Sequence, residues 1–290
     1  MGKKVFLNDK LVDRDQAAVS IFDHGLLYGD GVFEGIRSYE RRVFRLKQHL
    51  DRLYESAGAI RLEIPFSKGA LQDKIVETLK ANGLDNAYIR VVVTRGVGDL
   101  GLDPRKCPRA TLFVIADKIK LYPEELYRNG LPIIIAKTRR NHPLTLDPRI
   151  KSLNYLNNIL AKIEAIDGGT EEALMLGLNG EVVECTGDNI FIVKRGKLIT
   201  PPDSVGALKG VTQYAIIELA EKRGISTEFR NMMPEELFDA DECFLTGTAA
   251  EVIPVVRIDN KTIGEGRPGP VVKQLLEDFR ALTKTDGVAY

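Results

Sequence analysis

Charge of one sign, cysteine, histidine and long apolar runs are all scarce in this sequence. Its 290 residues carry 41 Lys+Arg against 41 Asp+Glu, a formal net charge of zero. Nucleic-acid binders draw most of their affinity from neutralising phosphates, so this balance speaks against that class. The three cysteines, Cys107, Cys185 and Cys243, form no CxxC and no Cys/His cluster, which removes zinc ribbons and thioredoxin-like redox centres. Buried free thiols in a reducing cytoplasm are the default for such a set. His24, His49 and His142 are scattered and form no zincin pair, so no metal site is expected. The N-terminus has basic residues but lacks the apolar run of a signal peptide. The longest aliphatic stretches, Val91-Val-Val and Ile133-Ile-Ile, are strand-sized, far short of the roughly 18 residues of a membrane span. The expectation is a soluble cytoplasmic protein with neither a membrane nor a nucleic-acid partner.

Hydrophobic content of 44% and charged content of 28% match a folded globular chain. At about 100–200 residues per domain, the length suggests one large domain or two of ordinary size. Short strands at Lys4–Asn8, Gly35–Tyr39 and Val43–Arg45 lead into two helices. The first runs from about Arg45 to Ala59 with Leu46, Leu50, Leu53 and Ala57 on one face. The second is capped by Ser67, has Leu71, Ile75, Val76 and Leu79 on its apolar side and stops at Asn82-Gly83. Strands at Tyr88–Thr94 and Thr111–Ala116 close a first domain, 1–117. The charged segment 118–130, with Pro123, is expected to be a linker to a larger domain, 131–290. There the pattern predicts a helix from near Ser152, burying Leu153, Leu156, Ile159, Leu160, Ile163 and Ile166. Hairpins turn at Asn179-Gly180 and Arg195-Gly196, and helices at about 211–223 and 269–283 flank strands at 242–246 and 250–258. This irregular interleaving favours two α+β domains over a doubly wound sheet.

Glycine-rich loops offer little: Gly29-Asp-Gly31-Val-Phe-Glu-Gly35 leads into a strand with the wrong spacing for a dinucleotide loop. The segment Val205–Thr212 lacks the spacing of a P-loop. The second half holds a more coherent set. Lys151 has Tyr155 four residues on, which would put amine and phenol on one helix face if the first turn has formed. Lysine suits Schiff-base chemistry because desolvation or a neighbouring cation readily lowers its pKa, although a lone lysine is ordinarily a solvated one. Glu184 lies in the apolar strand Glu181-Val-Val-Glu-Cys-Thr; if buried it needs a partner, such as a protonated ring nitrogen, and otherwise it sits at an exposed edge. Gly210-Val-Thr-Gln opens a helix whose free N–H groups could hold a phosphate. Thr246-Gly247-Thr-Ala-Ala suits close backbone approach, and Arg52 supplies a positive charge.

These residues resemble the branched-chain amino-acid aminotransferases, class IV (fold type IV) pyridoxal-phosphate enzymes. The resemblance runs through His24-Gly-Leu-Leu-Tyr-Gly-Asp-Gly-Val-Phe-Glu-Gly-Ile-Arg, His49-Leu-Asp-Arg-Leu, Ala87-Tyr-Ile-Arg, Ile150-Lys-Ser-Leu-Asn-Tyr, Asn179–Phe191, Leu208-Lys-Gly-Val-Thr and Phe244–Val255. It implies a two-domain fold with pyridoxal 5'-phosphate in the interdomain cleft, and Lys151 as the catalytic lysine that forms the Schiff base and shuttles the proton. It also implies that Glu184 keeps the ring nitrogen protonated and that Tyr155 bonds the ring 3′ oxygen. Arg52, Val211, Thr212, Gly247 and Thr248 would cup the phosphate, with Leu208 against the ring. The α-carboxylate would go to Tyr88 and the N–H groups of Thr248 and Ala249. Tyr28, Phe33, Gly35 and Tyr122 would wall the side-chain pocket, with Arg90 receiving the second carboxylate of glutamate.

The activity so implied is ping-pong transfer of the amine of L-leucine, L-isoleucine or L-valine to 2-oxoglutarate by a homodimer or homohexamer. Two features depart from the pattern: Gln213 stands where arginine is common, and Arg95, in the loop Arg95–Pro104, could take a carboxylate of another substrate. A D-amino-acid aminotransferase or an aminodeoxychorismate lyase of the same superfamily is the alternative, and a non-enzymatic binding protein a third reading.

Overall fold

A computed structural model describes residues 3–118 and 122–290. They form two compact units, each with its own sheet and core.

The first unit holds the described residues up to 118, together with Ile150–Asn154 and Thr283–Tyr290. Its seven-stranded sheet runs, in spatial order, Val288–Ala289, Arg42–Val43, Gly31–Tyr39, Ala87–Thr94, Thr111–Asp117, Lys4–Leu7 and Lys10–Asp13, with every pairing antiparallel. Side chains alternate across it. Val32, Ile36, Ile89, Val91, Val93, Leu112 and Val114 pack against Leu46, Leu50, Leu53, Leu71, Ile75 and Leu79 of the helices Leu46–Ala59 and Lys68–Asn82. Ser67 caps the second helix, its Oγ accepting from Ala70 N at 3.2 Å, and Gly83 (φ 59°) closes it in the left-handed region that a side chain disfavours. The helices cover one face of the sheet, which leaves the other available for chemistry.

The second unit holds the described residues from 122 to Arg149, and Tyr155–Leu282. Its sheet orders Thr227–Phe229, Lys197–Thr200, Asn189–Lys194, Glu242–Gly247, Glu251–Ile258, Leu131–Ile135, Ala173–Leu176 and Val182–Cys185, with Lys261–Thr262 paired to Glu251–Ile258. Leu174, Ile190, Ile192, Leu245, Ile253 and Val255 are central to its core. The hairpin at Arg195-Gly196 has positive φ at both residues, 51° and 75°, the backbone that matches strand twist.

Four sequence expectations change. Of the expected linker 118–130, residues 119–121 lie outside the described ones, and Glu124–Asn129 is a short helix. Ile150–Asn154 and Thr283–Tyr290, assigned by sequence to the larger domain, pack with the first unit. The helix expected from near Ser152 begins at Leu156 and ends at Asp167. Its apolar side is not the buried one: Leu156, Ile159, Leu160, Ile163 and Ile166 are exposed, while Asn158, Ala161 and Ala165 face inward. Periodicity marks an apolar face correctly but does not say what covers it.

Candidate active site

The strand Gly31–Tyr39 is the scaffold of the first cluster. Near its start one edge is left open by the short strand Arg42–Val43, and Ile150–Asn154 fills it. Phe33 N donates to Lys151 O at 3.0 Å and Leu153 N to Gly31 O at 2.9 Å. Lys151 is therefore seated on an extended segment, fixed further by its own N–H on Ser56 Oγ at 3.1 Å. The expected shared helix face of Lys151 and Tyr155 is corrected: Lys151 belongs to no helix, and Tyr155, half-buried, is the N-cap of Leu156–Asp167 in the second unit.

On the open face of the first sheet, Phe33 and Gly35 stand beside Tyr88 and Arg90, with Gly35 opposite Arg90 in register. The Lys151 ammonium lies 4.6 Å from the Phe33 ring centre, and the Arg90 guanidinium 4.5 Å from the same ring. Arg90 Nη2 donates to the Tyr88 hydroxyl at 3.0 Å. Gly35 is required by that phenol, since a Cβ there would come within 2.2 Å of the Tyr88 hydroxyl oxygen. A lysine amine, an apolar ring, a phenol and a guanidinium thus share one wall. Two cations on one aromatic ring are each stabilised by about 0.5–2 kcal/mol.

The alternate face of the same strand carries a residue that the sequence reading passed over. Glu34 is wholly buried and accepts from Arg52 Nε at 2.7 Å, Arg52 Nη2 at 2.8 Å and His49 Nδ1 at 2.8 Å. His49 and Arg52 reach it together because three residues along a helix return to the same face. Burial opposes ionisation of Glu34, but the charges and hydrogen bonds of Arg52 and His49 overcome it and hold the carboxyl below the usual range. His49 is shifted down, first by burial and then by the Arg52 and Lys151 charges, despite the pull of Glu34. His49 donates through Nδ1–H, because an ionised carboxylate can only accept. A glutamate inside an apolar strand is the signal that singled out Glu184, and Val32-Phe-Glu34-Gly carries it too.

Glu184 is buried, 5% exposed. Its Oε1 pairs with Arg140 Nη2 at 2.8 Å, and its Oε2 accepts from Leu208 N at 2.9 Å and Asn189 Nδ2 at 3.4 Å. Arg140 and Asn189 are further residues that sequence reasoning missed. Asn189 lies directly opposite Thr246 in the ladder, so the two share a face of the second sheet. Thr246 Oγ1 is buried with no hydrogen-bond partner among the described residues, an arrangement proteins usually avoid unless a ligand or water completes it. Gly210 precedes the helix Val211–Lys222, whose first N–H groups, near buried Val211 and Thr212, have no intrahelical acceptor. Gln213 is turned inward: Oε1 accepts from Gly210 N at 3.3 Å and Nε2 donates to Thr200 Oγ1 at 3.2 Å. It therefore braces the helix start and contributes no charge.

Gly247 ends the strand Glu242–Gly247, and Thr248, Ala249 and Ala250 form the turn after it. A Cβ at Gly247 would lie 1.8 Å from Asp188 Oδ1. The bend is held by Glu251, whose Oε2 accepts from Arg280 Nε at 2.9 Å, and by the Tyr127 hydroxyl donating to Ala250 O at 3.0 Å. Tyr122 is half-buried on the second core; burial, and then the negative charge of Asp188, push its phenol pKa up. Tyr28 is not gathered with Phe33. It is exposed, donates to Leu100 O at 2.6 Å and is surrounded in sequence by exposed Ile21, Phe22, Leu26 and Leu27. Arg95 is not available to a substrate: it forks onto Asp30 at 2.8 and 3.0 Å and donates to Arg61 O and Ile60 O. Among the described residues no group of His, Cys, Asp or Glu could hold a metal ion.

The amino-transferase class IV family model matches residues 31–258, a span that includes both clusters. The chain belongs to the class IV aminotransferases. A Methanocaldococcus jannaschii protein, provisionally named a branched-chain-amino-acid aminotransferase, is 50% identical over 98% of each chain. The crystal structure of the Escherichia coli branched-chain amino acid aminotransferase superimposes with a TM-score of 0.95 at 35% identity, covering 98% of this chain and 95% of that one. The branched-chain amino acid aminotransferase of T.th., complexed with N-(5'-phosphopyridoxyl)-L-glutamate, gives a TM-score of 0.92 at 35% identity, covering 98% and 94%. This aminotransferase therefore has the fold type IV architecture.

Proposed function

We propose that this aminotransferase moves the amino group of L-leucine, L-isoleucine or L-valine to 2-oxoglutarate, by a ping-pong mechanism with pyridoxal 5'-phosphate. The observation that carries the reading is the wall on which Lys151, Phe33, Arg90 and Tyr88 meet. A branched aliphatic side chain prefers a dry aromatic surface, whereas the second carboxylate of glutamate needs a cation; this wall offers both.

The residues present fit the cofactor. Glu184 is a buried carboxylate with acceptor capacity for a protonated ring nitrogen, and the unpartnered Thr246 hydroxyl shares a face with its neighbour Asn189. The N–H groups of Val211 and Thr212 suit a phosphate, and Arg52 is held by Glu34 in one orientation. We assign Tyr155 to the ring oxygen, Leu208 to the ring face, and Gly247 and Thr248 to the phosphate side. Pyridoxal phosphate, when bound, supplies a carbonyl carbon for the amine and a cationic ring that receives the electron pair of the breaking Cα–H bond. Lys151 would anchor it and, once freed by substrate, would take the proton from substrate Cα and deliver it again. Tyr88, with the N–H groups of Thr248 and Ala249, holds the α-carboxylate, which fixes which hydrogen faces Lys151. Phe33, Gly35 and Tyr122 wall the pocket, and Arg90 pairs with the acceptor's distal carboxylate.

A homo-oligomer is part of this proposal. The exposed apolar row Leu156, Ile159, Leu160, Ile163 and Ile166 supports it, because such rows mark protein interfaces. Tyr28, which stands apart in this chain, is assigned to the pocket of a neighbouring copy. Three unpaired cysteines suit a reducing cytoplasm, and none of the helices searched among the described residues is long and apolar enough to cross a membrane.

The test is the absorption spectrum of the purified protein, first alone and then with L-leucine and no oxo acid, with D-alanine in parallel. The bound-cofactor band should give way to that of the amine form with L-leucine only. Conversion by D-alanine alone would replace the branched-chain reading with the D-amino-acid one. No cofactor band, even after pyridoxal phosphate is added, would defeat the reading altogether.

A further inference from the structure

We propose that Arg140 is a positioning residue that fixes where the ring-nitrogen proton resides, by pairing with buried Glu184 and holding it in place; this rests on the cofactor reading above. Arg140 and Glu184 are both buried, 6% and 5% exposed, and pair at 2.8 Å. The other branch of the guanidinium, Nη1, donates to Asn158 Oδ1 at 2.8 Å. Arg140 N is itself fixed on Leu176 O at 2.9 Å. Asn158 lies in the first turn of the helix whose N-cap is Tyr155, and its Nδ2 donates to Thr186 O at 2.8 Å, beyond the end of the Glu184 strand. One side chain therefore joins the two elements assigned to the ring nitrogen and the ring oxygen.

The electrostatic consequence follows from burial. A carboxylate opposite a pyridine nitrogen shares one proton with it, and in a low-dielectric site the proton goes to the more basic partner. A buried carboxylate without another cation becomes strongly basic and takes the proton itself, leaving the ring neutral. The Arg140 charge 2.8 Å from Glu184 Oε1 supplies that second cation, which leaves the ring nitrogen to carry the proton. Leu208 N and Asn189 Nδ2 also favour the ionised carboxylate, but they bring no charge.

The probe is pyridoxal phosphate labelled with 15N at the ring, bound in the holoenzyme and followed by NMR from pH 6 to 9. The wild type should show a protonated ring nitrogen throughout. Arg140→Gln should shift the resonance toward the unprotonated position, Arg140→Lys should restore it, and Asn158→Ala, which leaves the ion pair intact, should keep it. A bound cofactor with the same resonance in Arg140→Gln as in wild type overturns the inference alone. Failure of the wild type to bind the cofactor overturns the functional reading and the inference with it. Should Arg140→Gln not fold, 13C NMR of the Glu184 carboxyl in the wild-type holoenzyme decides: ionised across the range supports the inference, protonated at neutral pH overturns it.

Discussion

At the residue scale, Glu34 shows how a buried carboxylate aims an arginine. The Arg52 guanidinium spends Nε and Nη2 on one carboxylate, which converts a flexible side chain into a fixed fork. Glu34→Gln leaves the guanidinium with a neutral partner in a buried site, and breaking such a pair costs about 3–5 kcal/mol. Thermal melts at pH 7 should show that loss, and a pyridoxal phosphate titration should show weaker binding. The sign with pH is set by the depressed carboxyl of Glu34. Its stabilisation is complete above the ordinary glutamate value, 4.5, and declines as pH falls toward the lowered folded value. The gap between wild type and Glu34→Gln should therefore narrow in acid, and a gap independent of pH would show that the charge is irrelevant. Gly35→Ala makes a separate case. Its methyl group must displace the Tyr88 hydroxyl, and overpacking of this kind costs about 1–3 kcal/mol. Because Tyr88 carries Arg90 on its oxygen, KM for leucine and for 2-oxoglutarate should both rise, by about tenfold, and the melting temperature should fall by a few degrees.

At the element scale, the helix Leu156–Asp167 separates what patterning reveals from what it conceals. Its apolar row is plain in the sequence, yet small Ala161 and Ala165, with Asn158, face the interior. Alanines carry too little apolar surface to outweigh five large aliphatic residues in any periodicity argument. Ile159→Glu with Ile163→Glu should lower the sedimentation coefficient and leave the far-ultraviolet circular dichroism intact, because neither side chain is part of the monomer core. An unchanged coefficient would remove this face from the interface. The strands were more legible. Ala87–Thr94 and Thr111–Asp117 are short runs rich in apolar and β-branched residues, and the helix Lys68–Asn82 begins and ends where Ser67 and Gly83 say it should. The extended seat of Lys151 was not legible, since it depends on an edge supplied more than a hundred residues earlier by Gly31–Phe33. The same distance hid Arg140, an arginine in a loop until Glu184 comes beside it.

At the scale of the whole molecule, acid should be the destabilising direction. Glu34, Asp51, Asp117, Asp147, Glu164, Glu236 and Asp278 all have lowered carboxyl pKa values. For Asp51 the main causes are hydrogen bonds from Lys47 and Lys68; for Asp278 the main cause is that from Arg223. Each group contributes stability above its unfolded pKa and loses it as pH falls through the folded one. Glu172, raised mainly by burial, acts in the opposite sense: it destabilises at neutral pH and ceases to do so in acid. With these lowered groups against it, denaturant midpoints should be flat near neutrality and fall below about pH 4.5. A midpoint that rose there would mean that buried carboxyls such as Glu172 outweigh the paired ones.

The first unit is assembled from three separate stretches of chain, and its outermost strand, Val288–Ala289, pairs with Arg42–Val43. On a ribosome, therefore, that sheet cannot be completed until residues 288–289 have emerged, and the lysine at 151 is seated only after some thirty residues of another body have been threaded through. No single cut yields that first body whole. A gene for it could be neither lent nor borrowed by simple fusion, and a chain broken before residue 288 would lose an edge strand from the body that carries the amine, although the rest of that body is encoded far from the break.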